Sequence, residues 1–133
     1  MFAIHKGNVP TYQGGSDALV YLVSNLDLLV ENELDYVITD RNAVLEIATF
    51  SEGHRDIDQM VDWELMEARY WHNTEEDPAR RERRMAECLV HCSVPWTMIT
   101  EVHVHTDSRR SELIDLAGPN IGQMIHVTPG WYF

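Results

Sequence analysis

"RRERRMAECLVHCSVPW", running from Arg80 to Trp96, is the stretch on which the reading of this chain turns. Arg80, Arg81, Arg83 and Arg84 crowd its start, an apolar run follows, and Glu87 stands at the boundary. Pro78 suits the first turn of a helix. Acids ahead of it and arginines behind it complement the helix dipole, which favours anions at the N-terminus and cations at the C-terminus. The helix is expected to stop near Met85, and "ECLVHCSV" to follow as a strand as far as the Pro95-Trp96 boundary. The arginines fit either a solvated helix face or a local anion site, because guanidinium groups bind phosphate oxygens in pairs. Glu87 also has two readings. It points outward at a strand edge, or it lines a cleft where a substrate hydroxyl satisfies it, since a carboxylate buried without partners is costly.

Outward from that stretch, the chain is acidic. Its 133 residues carry a formal charge of −12, with ten Lys or Arg against 22 Asp or Glu. One domain with its own core is the default at this length. The charge argues against nonspecific coating of nucleic acid and against anionic membranes, but leaves room for a local basic groove. No signal peptide or membrane span is read, so a soluble, cytoplasmic protein is expected. Cys88 and Cys92 make no disulfide framework. On one face of a strand they would stand about 13 Å apart, too far for one ion, and the spacing matches no common zinc motif. They are expected as two small buried thiols and no metal site is expected. His103 and His105, sharing a strand face, read as ordinary surface or interface residues, and His54 as part of a glycine-containing break.

Elsewhere strands alternate with short helices. "DALVYLVS" (17–24) reads as a buried strand, "NLDLLVENE" as a short helix capped by Ser24 or Asn25, and "DYVIT" (35–39) as the next strand. A polar turn, "DRNA", leads to a segment through Phe50. Apolar spacing predicts an amphipathic helix from near Asp62 to Trp71, where Trp63, Tyr70 and Trp71 form either core or a stacking platform for bases. "MITEVHVH" is a strand, "DSRRSELIDLAG" a capped helix ending at Gly118, and "QMIHVTPGWYF" a closing strand with an aromatic tail. The order is that of an α+β (mixed) fold in one domain. There is no phosphate-cradling P-loop, no G-x-S-x-G elbow and no dinucleotide G-x-G-x-x-G. Arg41, a cation just after a predicted buried strand, is a second candidate anion contact.

The ordered set "AIHKGNV", "LVYLVS", "VITDRNA", "DWELMEARYW", "ED-P-RRERRMAE-LVH--VPW" and "WYF" resembles the DarT family over nearly the whole chain. The resemblance implies an ADP-ribosyltransferase fold similar to that of poly(ADP-ribose) polymerases. It implies transfer of ADP-ribose from NAD to thymidine in single-stranded DNA, by a toxin whose antitoxin partner is a macrodomain. It places Glu87 as the catalytic residue, bonding the nicotinamide-side ribose and helping remove a proton from the base. Arg41 and Arg81 fall where the family carries arginines at the NAD and DNA site, and Arg80, Arg83 and Arg84 are expected to face DNA. The stretch from Phe50 to Met85 resembles the family's substrate-recognition loop and helix. "MFAIHKGNV" matches a segment well inside the family's domain, so this chain (1–133) is expected to be a partial domain whose catalytic arginine lies before Met1. The alternative function is a non-catalytic remnant that binds DNA or the antitoxin.

Overall fold

The computed structural model describes residues 9–12 and 14–132. The expectations for Met1–Ile4 and for Phe133 lie outside them. The described residues divide into two compact units, Met1–Asn25 with Pro95–Phe133, and Leu26–Val94. The elements are β1 (Tyr21–Val23), α1 (Leu26–Glu31), β2 (Tyr36–Thr39), β3 (Phe50–Ser51), α2 (Ile57–Met60), α3 (Trp63–Glu67), α4 (Arg80–Arg83), β4 (Cys88–Val90), β5 (Glu101–Val104), α5 (Asp107–Ala117) and β6 (Ile125–Val127). The mixed α+β reading is therefore borne out.

The first unit holds a three-stranded sheet ordered β1-β5-β6. β1 runs antiparallel to β5, pairing Tyr21 with His103 and Val23 with Glu101. β5 and β6 are parallel, Val102 opposite Ile125 and Val104 opposite Val127, and α5 makes the crossover that parallel neighbours require. Thr106 starts α5 by accepting the Arg109 N–H, and Gly118 stops it at φ 89°, a backbone conformation open chiefly to glycine. Val102, Val104 and Ile125 are buried, with Leu113, Ile114, Ile121 and Met124 packed on them. Each such aliphatic side chain contributes about 1.5–3 kcal/mol relative to leaving it in water.

On the other face of β5, His103 is also buried, at 6% exposure, within its own unit, which corrects the expectation of an ordinary surface or interface histidine. Trp131 stacks on it with ring centroids 4.0 Å apart. Its Nδ1 lies 2.7 Å from Thr128 Oγ1 and its Nε2 2.8 Å from Glu101 Oε2, so the polar ring is hydrogen-bonded at both ends as burial demands. The Tyr132 hydroxyl donates toward the carbonyls of Leu19 and His103. The aromatic tail covers the sheet rather than trailing from it.

The second unit is built on an antiparallel sheet ordered β3-β2-β4. Tyr36 pairs with Val90 and Ile38 with Cys88, while Thr39 pairs with Phe50. Ile38 and Thr39, at the end of the middle strand, are fully covered. Several expectations need correction. "ECLVHCSV" is a strand only from Cys88 to Val90, because Cys92 adopts a positive φ of 61° that no strand tolerates. Both thiols are exposed rather than buried. The helix begins as read, with Asp62 accepting the Leu65 N–H, but ends at Glu67 instead of Trp71. The Tyr70 carbonyl is taken by Arg80 Nη2 at 3.1 Å and so lies outside any helix. Trp63 and Tyr70 are consequently 45% and 71% exposed and are not core. "DALVYLVS" likewise yields only a three-residue strand with Leu22 exposed on an edge, not a buried strand.

Candidate active site at the ends of β2 and β4

Glu87 directly precedes β4, and its neighbour across the sheet is the end of β2. Antiparallel pairing continues one residue beyond β4, since the Thr39 N–H donates to the Glu87 carbonyl at 2.8 Å. The Glu87 N–H then donates to Thr39 Oγ1 at 3.0 Å. The same Thr39 hydroxyl donates to the Arg41 carbonyl at 2.6 Å. One buried side chain thus fixes both the backbone carrying Glu87 and the turn leaving β2. The Glu87 carboxylate is half-buried, and its Oε2 accepts the Ala43 N–H at 3.0 Å. Among the described residues nothing donates to Oε1, which leaves one carboxylate oxygen for a ligand. Of the two sequence readings of Glu87, the structure supports a carboxylate held in place and turned to the loop after β2.

That loop, "TDRNA" and the residues behind it, is closed by Asp40. Its Oδ1 accepts the Thr49 N–H at 2.9 Å, and its Oδ2 accepts from Arg41 Nε and Nη2 at 3.1 and 2.8 Å. Burial pushes the Asp40 carboxyl up, but the Arg41 guanidinium and the Thr49 N–H together outweigh it and hold the group below its ordinary value. Arg41, expected to be an isolated cation, is instead paired. Asp40 lies 2.8 Å away and Glu82 3.7 Å away. Hydrogen bonding to Asp40 raises the Arg41 guanidinium above its usual value.

The four arginines of α4 and its C-terminal turn divide by function. Arg83 is fully engaged. It meets both Asp77 oxygens, at 2.9 and 2.7 Å, and reaches Asp62 Oδ2 through Nε at 3.2 Å. Asp62 therefore caps α3 with one oxygen and anchors Arg83 with the other. The Asp77 hydrogen bonds raise Arg83 further above its normal range, and the same bonds hold the Asp77 carboxyl down. Arg80 donates to the Tyr70 carbonyl and lies 4.0 Å from Asp77. Arg84 Nη1 lies 3.6 Å from the Met66 sulfur, and among the described residues its side chain makes no ion pair. The Arg81 side chain makes no hydrogen bond or ion pair among the described residues; only its backbone N–H is used, donating to Asn73 Oδ1 at 2.8 Å. The cluster thus pins the loop 68–79 through Arg80 and Arg83 and leaves uncompensated positive charge at Arg81 and Arg84.

Arg81 lines a groove of about 300 Å³ together with Asn42, Val44, Leu45, Asn73, Glu82 and Met85. Asn42 and Val44 flank Ala43, the residue that Glu87 holds. The groove and the carboxylate are therefore parts of one corner of the second unit. A separate hollow at the far end of β2 and β4 is lined by Leu34, Tyr36, Leu89 and His91 with the acidic Asp35 and Glu52, and includes neither Glu87 nor any arginine. His54 begins a single 3-10 turn (His54–Asp56) and is not among the residues lining this groove. Sequence reading missed Thr39, Asp40, Asn42 and Asn73. Their only signal was position, at the end of a buried strand and just ahead of the arginines. Among the described residues no group of three His, Cys, Asp or Glu is arranged to hold a metal ion, and no helix is long and apolar enough to cross a membrane.

Residues 1–133 match the family described as "ssDNA thymidine ADP-ribosyltransferase, DarT". A DNA ADP-ribosyl transferase of Thermus sp. (strain 2.9) is 34% identical over 116 residues, covering 87% of this chain and 53% of the relative. The chain thus spans about half the length of that relative. Among solved structures, Thermus sp. 2.9 DarT in complex with NAD+ superposes with a TM-score of 0.87 at 29% identity, covering 99% of this chain and 66% of that one. The same protein in complex with ADP-ribosylated ssDNA gives a TM-score of 0.87, with 62% of its length covered. The fold is that of these ADP-ribosyltransferases, and the chain belongs to the DarT family.

Proposed function

We propose that this chain carries the Glu87 side of an active site that transfers ADP-ribose from NAD to a thymidine base in single-stranded DNA. The observation that carries the reading is Glu87 itself, with its backbone and Oε2 fixed and Oε1 open to a ligand, beside a groove holding an unpaired arginine. In the reaction the bond between nicotinamide and the ribose anomeric carbon breaks, and nicotinamide leaves neutral. A bond from the thymine N3 to that carbon forms as the N3 proton is lost. Positive charge develops on the ribose as the bond breaks, and a fixed carboxylate stabilises it. A hydroxyl of the same ribose donates to Glu87, and the carboxylate then takes the N3 proton. Arg41 and Arg81 serve the NAD and DNA phosphates. Arg81 and Arg84 present charge to the DNA directly. Arg80 and Arg83 act on the DNA through the loop they order. The two compact units belong to one domain of the family, acting in the cytoplasm as a toxin that a macrodomain antitoxin opposes.

The test is the intact mass of a thymine-containing single-stranded oligonucleotide after incubation with the chain and NAD, with Glu87→Gln in parallel. The expected result is one ADP-ribose adduct with the unmutated chain and none with Glu87→Gln, whose melting is unchanged. An adduct formed equally by the variant removes Glu87 from the mechanism. Absence of an adduct with both overturns the transferase reading for these 133 residues and favours a chain that only binds DNA or the antitoxin.

A further inference from the structure

The groove beside Ala43 has an unusual polar lining. Asn42 Oδ1 accepts the Val44 N–H at 2.9 Å, and Asn73 Oδ1 accepts the Arg81 N–H at 2.8 Å. A backbone N–H can only donate, so in each amide the oxygen is the atom engaged, and among the described residues no hydrogen bond takes up either NH2. The Arg81 guanidinium adds further donors. The carboxylate at the rim, Glu82, lies 3.7 Å from Arg41. The walls are apolar: Leu45 is half-buried, Met85 is exposed, and Val44 is 89% exposed. A hollow with two amide donors, a cation and aliphatic walls suits a flat ring bearing carbonyl acceptors and joined to a phosphate. At about 300 Å³ it lies at the small end of ligand sites.

We propose that this groove is a nucleotide subsite that selects a pyrimidine by its ring carbonyls, through Asn42 and Asn73, while Arg81 takes the adjoining phosphate. The inference rests on the reading of the chain as acting on single-stranded DNA, and it adds the residues that set which base is preferred. Thymine offers two carbonyl acceptors to the two amide donors, whereas adenine has no carbonyl and can meet them only through its ring nitrogens.

The test is fluorescence anisotropy of the whole chain with thymidylate and deoxyadenylate homopolymers of equal length. Asn73→Asp still accepts the Arg81 N–H but replaces the free donor with an acceptor. Its added negative charge weakens both homopolymers alike, so the ratio of affinities isolates base reading. The unmutated chain is expected to prefer thymidylate, and Asn73→Asp and Asn42→Asp each to lower that ratio on the order of tenfold, as one lost base-edge contact does. Arg81→Ala should weaken both homopolymers equally and reduce the salt slope by about one. An unchanged ratio in both asparagine variants, with binding retained, overturns the subsite and leaves the DNA reading standing. Failure of the unmutated chain to bind either homopolymer overturns both.

Discussion

At Thr39 a single hydroxyl serves two backbone groups, donating to the Arg41 carbonyl and accepting the Glu87 N–H, with the residue fully buried. Valine has nearly the same shape but neither donor nor acceptor. Thr39→Val is therefore expected to destabilise the protein by about 1–3 kcal/mol, the usual consequence of stranding buried polar groups. It should also release the backbone that positions Glu87. Thr39→Ser keeps the hydroxyl and should recover most of both effects. Urea unfolding of the two variants checks the first claim, and amide exchange at Glu87 checks the second. Equal stability of Thr39→Val and the unmutated chain would show that the hydroxyl is dispensable.

Among the elements, α5 has the clearest local determinants. Thr106 supplies its N-cap and Gly118 its stop. Thr106→Ala should lower stability by about 0.5–2 kcal/mol through the lost cap. Gly118→Ala tests a different cause. No atom lies within 4 Å of the added Cβ, so any loss reflects backbone conformation alone, about 1–3 kcal/mol for a φ/ψ reserved to glycine. The loop before α4 is held largely from a distance, because Arg83 joins Asp62 to Asp77 while Arg80 takes the Tyr70 carbonyl. Arg83→Ala should make residues 68–79 cleave faster under limited proteolysis, and Arg83→Lys should rescue only in part, since an ammonium cannot match both Asp77 oxygens.

For the whole molecule, acid sensitivity follows from the paired carboxylates. Asp40 and Asp77 both titrate below their ordinary value in the folded chain. A depressed folded value means that the unfolded chain takes up protons first as pH falls. The stabilisation is complete above the unfolded value of about 4 and is lost as pH drops through the folded one. Relief of repulsion in a chain of charge −12 acts in the opposite direction. The informative quantity is therefore the difference between variants. Urea midpoints of Asp40→Asn should fall less between pH 5 and pH 2, by rough expectation from these values, than those of the unmutated chain. Parallel curves would exclude Asp40 as a source of acid lability.

By itself the sequence determined the alternation of strands and short helices, because turn residues, caps and apolar runs act within a few positions. Gly118 ends α5 as read, Asp62 starts α3, and the order of motifs around "RRERRMAE" placed Glu87 in its family. Tertiary structure decided everything that depends on partners distant in sequence. Arg41 was read as an isolated cation and Arg83 as part of a solvated face or an anion site, because nothing local shows that Asp40 turns back on its neighbour or that Asp77 and Asp62 converge on one guanidinium. His103 looked like a surface residue until Trp131 and Thr128 covered it. The helix predicted through Trp71 stopped at Glu67, with the Tyr70 carbonyl bound by an arginine ten residues away. Asn42 and Asn73 gave no signal as a pair, because amide orientation is set by which backbone N–H each meets. Local propensity and capping act along the chain and can be read from it; burial, ion pairing and hydrogen-bond direction arise between segments that only folding brings together.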